Sequence, residues 1–253
     1  MSGAPPRLPV GFHLQAYDRL ASTNDEAKRL ARSGAAAGTT VWTREQTAGR
    51  GRRGRSWVAI PGNLYVSFIM RPEGAAAAAA QLGFVAALAL GGAVAELLPA
   101  MPDLRYKWPN DVLLGGRKVS GILLESETSA AGTSAWVVIG IGVNVVAHPP
   151  GLPYPATSLR QEGAGGVDAV TVLETLATHL QKWHRRWCVG GFAPVRAAWL
   201  GRAFGLGEVQ TARFAQGEET GRFVDLDADG ALLLDTPQGP RRIAAGEIFP
   251  ASA

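Results

Sequence analysis

The chain has 253 residues, of which 47% are hydrophobic and 18% are charged, and its formal net charge is +4. This composition is typical of a globular protein and excludes a chain that is disordered throughout, which would be poorer in apolar residues. The single cysteine, Cys188, excludes an internal disulfide and a multi-cysteine metal site, and it favours a reducing, cytoplasmic location.

The first 70 residues are predicted to contain one helix and two strands. Residues 1–15 show no periodic pattern and are interpreted as a short arm. A helix follows, because residues 22–24 offer capping side chains, two acidic residues occupy its first turn and Gly34 ends it. Residues 39–46 are rich in strand-forming residues and residues 63–70 alternate like a strand, so both are predicted as β-structure.

Residues 80–98 form the most apolar part of the chain and are predicted to be a buried helix. The segment from Leu82 to Leu98 contains two glycines and Glu96, and it is shorter than the roughly 18–20 continuous apolar residues that a membrane-spanning helix needs. The N-terminal residues also lack the basic and apolar regions of a signal peptide. No membrane association is therefore expected.

The middle of the chain is predicted to combine short strands with two helices. The predicted strands cover residues 104–108, 118–128 and 135–146. Proline and glycine dominate residues 147–166, which are interpreted as an exposed loop. Two helices are then predicted, over residues 170–189 and 192–203.

The sequence pattern changes after Leu206 to short strands broken by turns, with DADG as a turn signal. We therefore place a domain boundary near residues 204–206, which gives a larger domain over residues 1–204 and a small all-β domain over residues 205–253. Because turns join most strands of the larger domain, instead of a regular alternation of strands and helices, the predicted fold class is α+β.

The segment QTAGRGRRGRSW, residues 46–57 and here called the arginine loop, is the most informative part of the sequence. Its glycines let the backbone approach a ligand closely, and its four arginines present guanidinium groups that suit carboxylate and phosphate oxygens. The pattern indicates a clamp for a doubly anionic ligand. A solvated basic loop and a nucleic-acid-binding arm fit the same segment.

Four further motifs accompany the arginine loop in a fixed order: STN at 22–24, KWPND at 107–111, K-x-x-G-I-L at 118–123 and GIGVN at 140–144. Together with GRGRRGRSW they resemble the catalytic domain of bacterial biotin protein ligases, and the resemblance covers about residues 15–205. The small C-terminal domain resembles the SH3-like domain of that family. The resemblance implies an α+β fold with a mixed-sheet catalytic domain of the biotin/lipoate ligase type, followed by a small SH3-like β-barrel.

The resemblance also implies an activity. The expected enzyme activates biotin with ATP to biotinyl-5'-AMP and transfers the biotin to a lysine of a biotin carboxyl carrier protein. ATP is the expected co-substrate and Mg²⁺ the expected metal ion, with no metal ligands assigned. Neither nucleic acid nor a membrane is an expected partner, and the protein is expected to be a monomer or a homodimer. Some members carry an N-terminal helix-turn-helix domain and repress transcription; the catalytic pattern begins near residue 17 here, so no repressor role is expected.

For biotin binding, the resemblance implies a pocket of hydroxyl, amide and cationic groups. The ureido ring of biotin offers two N–H donors and one carbonyl, which need polar partners once they are buried. The residues carried over to this role are Ser22, Thr23, Asn24, Gln46, Gly49, Arg50, Gly51, Arg52, Lys118 and Gly121. For residues 22–24 a plain helix cap is an equally good interpretation, since a capping hydroxyl can also face a pocket.

For ATP and catalysis, the resemblance implies a second, overlapping set. The residues carried over to ATP binding are Arg52, Arg53, Arg55, Asn110, Lys118 and Asn144. Asn144 ends a strongly apolar strand, where a packing role would be unfavourable. Arg52, Lys118 and Asp111 are the predicted catalytic residues, Asp111 as the group that orients or deprotonates the acceptor lysine. Trp57 is interpreted as a core aromatic residue.

Two alternative functions stay open from the sequence. A lipoate or octanoate ligase or transferase of the same superfamily would share the expected fold, although the intact GRGRRGR stretch favours biotin. A nucleic-acid-binding protein would use the arginine loop and bind in a salt-sensitive manner. That second alternative leaves KWPND and GIGVN unexplained.

Overall fold

The computed structural model describes residues 5–72, 77–100, 103–128, 134–214 and 217–251. The larger part of the chain is built on seven strands and four helices among these residues. The strands are β1 (His13–Leu20), β2 (Thr39–Gln46), β3 (Leu64–Met70), β4 (Leu104–Lys107), β5 (Asp111–Leu114), β6 (Arg117–Thr128) and β7 (Ser134–Val143). The helices are α1 (Thr23–Arg32), α2 (Ala77–Leu97), α3 (Ala169–Gly190) and α4 (Phe192–Leu200).

The seven strands form one mixed sheet in the order β1-β2-β3-β7-β6-β5-β4. β1 pairs with β2 in parallel, and the other neighbouring strands pair antiparallel. The helices lie on both sides of the sheet, with α1 on one face and α2, α3 and α4 on the other. The predicted α+β class with a mixed sheet is therefore confirmed.

Side-chain alternation along β7 separates the two faces of the sheet. Val137, Ile139 and Ile141 point into the large core that α2 and α3 cover. Trp136 and Val138 point the other way, into the small cluster under α1. Successive side chains of a strand point to opposite faces, so Gly140 and Gly142 lie on the α1 face.

The apolar helix α2 belongs to the core, as predicted. Its segment Ala79–Leu97 has the length and apolar composition of a membrane span, but 67% of that segment is buried inside the protein. Leu82, Val85 and Leu90 are fully buried against the sheet and neighbouring helices. Packing inside the fold accounts for the apolar composition.

Three predictions of local structure were wrong. The arm over residues 1–15 in fact leads into β1, an edge strand whose half-exposed, polar side chains give only a weak apolar pattern. The strand β5 was missed because it is four residues long and lies in a turn-rich stretch. The loop over residues 147–166 is not exposed throughout, since Thr157, Ser158 and Leu159 are buried.

The C-terminal part forms a separate antiparallel sheet. Its strands are β8 (Val209–Phe214), β9 (Gly217–Leu226), β10 (Leu232–Thr236), β11 (Gly239–Ile243) and β12 (Glu247–Pro250). They are ordered β11-β10-β9-β8-β12. The small all-β module is confirmed, while its boundary at residue 204 or 205 stays a prediction.

The β9–β10 turn anchors this module to the rest of the protein. Trp108 Nε1 donates a 3.0 Å hydrogen bond to the carbonyl of Gly230, the turn glycine. Gly230 has a φ of 87°, and a Cβ atom there would lie 2.5 Å from Cε2 of Phe84 on α2. The turn therefore needs glycine both for its backbone conformation and for its close approach to α2.

We predict that Gly230→Ala lowers the free energy of unfolding by about 1–3 kcal/mol more than Gly239→Ala, because only the first substitution overpacks the interface. Gly239 is a matched control, since its φ is 103° but nothing lies within 4 Å of its added Cβ. Urea denaturation of the two variants measures the difference. Equal losses would show that backbone strain alone matters at Gly230.

Candidate active site

A cavity of about 400 Å³ lies on the α1 face of the main sheet and extends to the C-terminal module. α1, β6, β7, the arginine loop and β12 all contribute to its wall. Of the site residues predicted from the sequence, all except Gly49, Arg53 and Asn144 line this cavity. The motifs that are scattered along the sequence are thus brought to one place.

The start of α1 forms the polar end of the cavity. Ser22 caps the helix, its side chain accepting a 3.4 Å hydrogen bond from the Asp25 amide, and it also lines the cavity. The Thr23 amide and hydroxyl both donate to Gln46 Oε1, at 2.9 and 3.2 Å. The two interpretations of the STN motif are therefore compatible, because one turn of helix serves as cap and as wall.

Glycines on β6 and β7 form the floor beneath Trp57. A Cβ atom at Gly142 would lie 2.5 Å from Cε2 of Trp57, and one at Gly121 would lie 3.1 Å from its Cζ3. The interpretation of Trp57 as a core aromatic was wrong, because its ring lines the cavity. Its Nε1 is buried and has no hydrogen-bond partner among the described residues.

Gly49 lies beside the cavity, at a position where any side chain would clash with its neighbours. A Cβ atom there would lie 2.5 Å from both Gln46 Nε2 and the Trp57 carbonyl. Glycine is therefore required for the arginine loop to turn past these two residues.

Lys118 and Asp111 form an ion pair in the cavity wall. Lys118 Nζ lies 2.7 Å from Asp111 Oδ1, in an ion pair without hydrogen-bond geometry. The Lys118 ammonium also lies 5.7 Å from the ring centre of Trp57 and 5.2 Å from that of Tyr154. Two aromatic faces and one carboxylate thus fix the position of the cation.

The segment that contains Tyr154 is held beside Lys118 by backbone hydrogen bonds to the start of β6. The Lys118 amide donates to the Pro155 carbonyl, and the Thr157 amide donates to the Lys118 carbonyl, both at 2.9 Å. This pairing explains why part of the glycine- and proline-rich stretch is buried. Backbone groups in it are satisfied by the strand instead of by water.

Two arginines of the loop reach the C-terminal module from inside the cavity. Arg52 Nη1 donates to the Gly246 carbonyl at 3.1 Å and to Asn110 Oδ1 at 3.4 Å. Arg55 Nη2 pairs with Glu247 Oε2 at 2.9 Å. Burial lowers the pKa of Arg52, and the carboxylate of Glu247 opposes that effect.

Arg53 does not line the cavity. It is exposed, its φ is 55°, and its Nη2 donates a 3.4 Å hydrogen bond to the carbonyl of Arg213. The structure therefore does not bring Arg53 together with the other predicted ATP-binding residues.

Asn144 lies beside the cavity, in a small annex that Ser56, Trp57 and Tyr154 also line. The residue is 3% exposed, and its Nδ2 donates to the Thr157 carbonyl at 3.0 Å. Asn144 Oδ1 is buried without a hydrogen-bond partner in the described part of the chain. A buried, unpaired acceptor is costly, so this atom is available for a donor group on a ligand.

Lys107 is a cavity residue that the sequence interpretation did not assign, although it belongs to KWPND. Its ammonium lies 4.6 Å from the ring centre of Phe249 on β12. Burial lowers the pKa of Lys107, and the Asp111 carboxylate opposes that effect. The contact with β12, far along the chain, could not be read from the motif itself.

The charges around the cavity suit a polyanion. Five cationic side chains line it, and two carboxylates partly balance them. The cations are Arg50, Arg52, Arg55, Lys107 and Lys118, and the carboxylates are Asp111 and Glu247. No group of three or more His, Cys, Asp or Glu side chains capable of holding a metal occurs among the described residues.

Comparison with known proteins gives consistent matches for both parts of the chain. Residues 54–201 match the biotin/lipoate A/B protein ligase family, and residues 208–249 match the biotin protein ligase C terminal domain. A biotin–[acetyl-CoA-carboxylase] ligase of Paracoccus denitrificans is 46% identical over 91% of this chain and 98% of its own length. The bifunctional ligase/repressor BirA of Bacillus subtilis is 35% identical over 94% of this chain and 74% of its own length.

Solved structures agree with these matches. The biotin protein ligase from Aquifex aeolicus in complex with biotin and ATP has a TM-score of 0.77 and 28% identity. The match covers 93% of this chain and 97% of the Aquifex chain, so it includes both the main sheet and the C-terminal module.

We predict that Lys107→Met weakens pyrophosphate binding at neutral pH by at least about tenfold, because a charge-assisted contact to the anion is lost. Isothermal titration calorimetry measures the affinity, with Lys182→Met, an exposed lysine on α3, as the control. Burial lowers the pKa of Lys107, so raising the pH through that pKa removes the charge of its ammonium group. The pyrophosphate affinity of the parent protein should then approach that of the variant. Equal affinities of the two variants would show that Lys107 does not face the anion.

Proposed function

The chain belongs to the biotin protein ligases, the ATP-dependent enzymes that attach biotin to a carrier protein, and from that membership we propose how its cavity performs the reaction. One observation carries the proposal: a single cavity joins a hydroxyl- and amide-lined end to a cluster of cations. The first end suits an uncharged ureido ring, and the second suits a carboxylate beside a triphosphate.

At the polar end, Ser22, Thr23, Asn24 and Gln46 hold the biotin head. Hydroxyl and amide groups of these residues supply both donors and acceptors to the ureido ring. The glycine floor and Trp57 bound the apolar part of biotin, because only glycines at 121 and 142 leave room beside the indole ring. Biotin therefore lies with its carboxylate directed toward Lys118.

At the cationic end, Arg52, Arg55, Lys107 and Lys118 hold the phosphates. The base of ATP enters the annex, where Asn144 Oδ1 is the unpaired acceptor. Tyr154 and Trp57 both line that annex and offer aromatic surface to the base. Gly49 and Arg53 act indirectly, the first by shaping the arginine loop and the second by tying it to β8.

The donor set near Asp111 also fits Mg²⁺. Asp111 supplies a buried carboxylate whose Oδ1 pairs with Lys118 but accepts no hydrogen bond, and the neighbouring residue Asn110 supplies an amide oxygen that accepts from Arg52. Mg²⁺ is held by one or two carboxylates together with substrate phosphates. When bound, it neutralises phosphate charge.

The first chemical step is attack of a biotin carboxylate oxygen on the α-phosphorus of ATP. The bond from the α-phosphorus to the bridging oxygen breaks, and pyrophosphate leaves with the electron pair. A carboxylate has a pKa of about 4, so it is already an anion at neutral pH and needs no catalytic base. Arg52 and Lys118 stabilise the charge that develops while holding two anions side by side.

The second step is attack of the carrier lysine on the carbonyl carbon of biotinyl-5'-AMP. The new C–N bond forms, the bond to the phosphate oxygen breaks and AMP leaves. An amine with a pKa of about 10.4 is almost entirely protonated at pH 7, so a proton must be removed. Asp111 accepts this proton or orients the amine, and its ion pair with Lys118, the residue assigned to the biotin carboxylate, supports this role.

Several expectations about partners stay predictions. The relatives named as acetyl-CoA-carboxylase ligases support a biotin carboxyl carrier protein as the acceptor. We propose that the chain acts in the cytoplasm, as a monomer or homodimer and without nucleic acid. Arg52 and Arg55 contact protein groups inside the cavity, which disfavours an arginine loop devoted to nucleic acid.

Isotope exchange between pyrophosphate and ATP tests the proposed first step. We expect exchange with biotin and none above background with lipoate or without an acid, because exchange requires reversible formation of the acyl-adenylate. Exchange with lipoate alone would instead support a lipoate ligase. Absence of exchange with either acid would contradict an acyl-adenylate mechanism.

Asp111→Asn tests the second step. We expect adenylate formation to slow, because Asp111 is also the proposed Mg²⁺ ligand, and transfer from preformed biotinyl-5'-AMP to the carrier to slow by about a hundredfold, the lower range for a lost general base. Single-turnover assays separate the two rates. Asp103→Asn is the control, because Asp103 is an exposed aspartate just before β4 that pairs with Arg105. Transfer by Asp111→Asn at the parent's rate would remove Asp111 from the reaction.

A further inference from the structure

We propose that Glu125 on β6 is a positioning residue that couples the arginine loop to the biotin-head pocket. The inference rests on the proposed function, since it assigns a role toward the same cavity. Glu125 itself does not line the cavity. It lies behind the wall of the cavity, where it contacts residues from two distant parts of the chain, α1 and the arginine loop.

Glu125 accepts from both α1 and the arginine loop. Asn24 Nδ2 donates to Oε2 at 2.9 Å, and Lys28 Nζ donates to Oε1 at 2.8 Å. Arg50 Nη2 lies 2.9 Å from Oε2 and 3.2 Å from Oε1. The carboxylate therefore binds a pocket residue and a loop residue at the same time.

The cluster around Glu125 is balanced in charge. Arg50 Nη2 also contacts Asp25 Oδ1 at 2.6 Å, and Lys28 Nζ lies 3.0 Å from the same oxygen. Burial raises the pKa of Glu125, but hydrogen bonds from Lys28 and Asn24 and the charge of Arg50 outweigh it, so the pKa lies below its ordinary value. Two carboxylates thus hold two cations, and Glu125 is the more buried carboxylate at 23% side-chain exposure against 52% for Asp25.

The chemistry of a carboxylate fixes the orientation of Asn24. An ionised carboxylate only accepts hydrogen bonds, so the Asn24 Nδ2 group must face Glu125 and its Oδ1 must face the other way. Oδ1 accepts from the Ser67 hydroxyl at 2.6 Å. Gly140 leaves the required space, because a Cβ atom there would lie 2.0 Å from Asn24 Oδ1.

Ser67 continues the network into the pocket. Its hydroxyl oxygen lies 2.8 Å from the Thr23 hydroxyl, and the Thr23 amide donates to Gln46 Oε1 at 2.9 Å. A series of close polar contacts therefore links Arg50, through Glu125, to the side chains that hold the biotin head. If the arginine loop moves away from the cavity, Glu125 loses its contact with the Arg50 cation. Glu125 is then held less firmly and orients Asn24 less well.

Two consequences follow for the reaction. Loss of the Glu125 charge lets Asn24 turn its amide, which weakens biotin binding. It also releases Arg50, so the arginine loop opens more often over the adenylate. A mixed anhydride in an open site meets water, and it leaves the enzyme before the carrier arrives.

Glu125→Gln tests the proposal, since it keeps the side-chain shape and removes the charge. We expect the KM for biotin in pyrophosphate exchange to rise about tenfold, as for the loss of a hydrogen bond to a charged group, while kcat changes less than about threefold. Without carrier, release of AMP from the adenylate should also be faster by about tenfold. Glu125→Asp, which keeps the charge on a shorter side chain, should recover part of both losses.

Glu127→Gln is the matched control. Glu127 lies two residues further along β6 on the same face, and it pairs with Arg32 in an ion pair that is 49% exposed on the glutamate side. It should behave like the parent in both assays. Thermal melts of all variants separate a loss of folding from a loss of positioning.

A double-variant comparison with Arg50→Gln makes the proposal sharper. If Glu125 acts through Arg50, adding Glu125→Gln to Arg50→Gln should leave the rate of adenylate loss unchanged. Additive effects, or a Glu125→Gln protein that matches Glu127→Gln, would overturn the coupling. Failure of the parent chain to exchange pyrophosphate with biotin would instead overturn the proposed function, so the two failures are distinguishable.

Discussion

The alternation of side chains along β6 and β7 is the constraint on which the rest of the structure depends. One face of these strands carries Ile122, Ile139 and Ile141, which pack under α2 and hold the fold together. The other face carries glycines, which are too small to fill the space above the sheet. The same two strands thus provide a stable core on one side and the floor of the cavity on the other. Trp57 and Asn24 can approach the sheet only because of those glycines.

The C-terminal module completes a site that the main sheet only begins. Glu247 and Phe249 on β12 contact Arg55 and Lys107, so the cationic end of the cavity has a wall that comes from the last strand of the chain. The polar end, by contrast, is formed by the start of α1 and by the main sheet, which includes β2. A ligand that spans the cavity therefore contacts both parts of the chain.

Sequence reasoning located most of the site because its motifs are local. The STN cap, the arginine loop, KWPND and Lys118 each carry a recognisable pattern of residue types, and the structure brings them to one cavity. The misses share a different cause. Nothing in KWPND indicates that Lys107 meets Phe249, and nothing near Glu125 indicates that it meets Asn24 and Arg50, because these partners are separated by 75 or more residues. β1 was missed for a related reason, since an edge strand with one polar face has little apolar periodicity.

The contacts of Arg52 and Arg53 with the C-terminal module have a further consequence. Both arginines donate to main-chain carbonyls, those of Gly246 and Arg213, and only Arg55 uses a carboxylate. A peptide carbonyl belongs to the main chain, so substitution of a side chain does not remove it. Removal of the Glu247 carboxylate by substitution would release Arg55 but leave the other two attachments in place, so the joint between the loop and the module does not depend on a single ion pair.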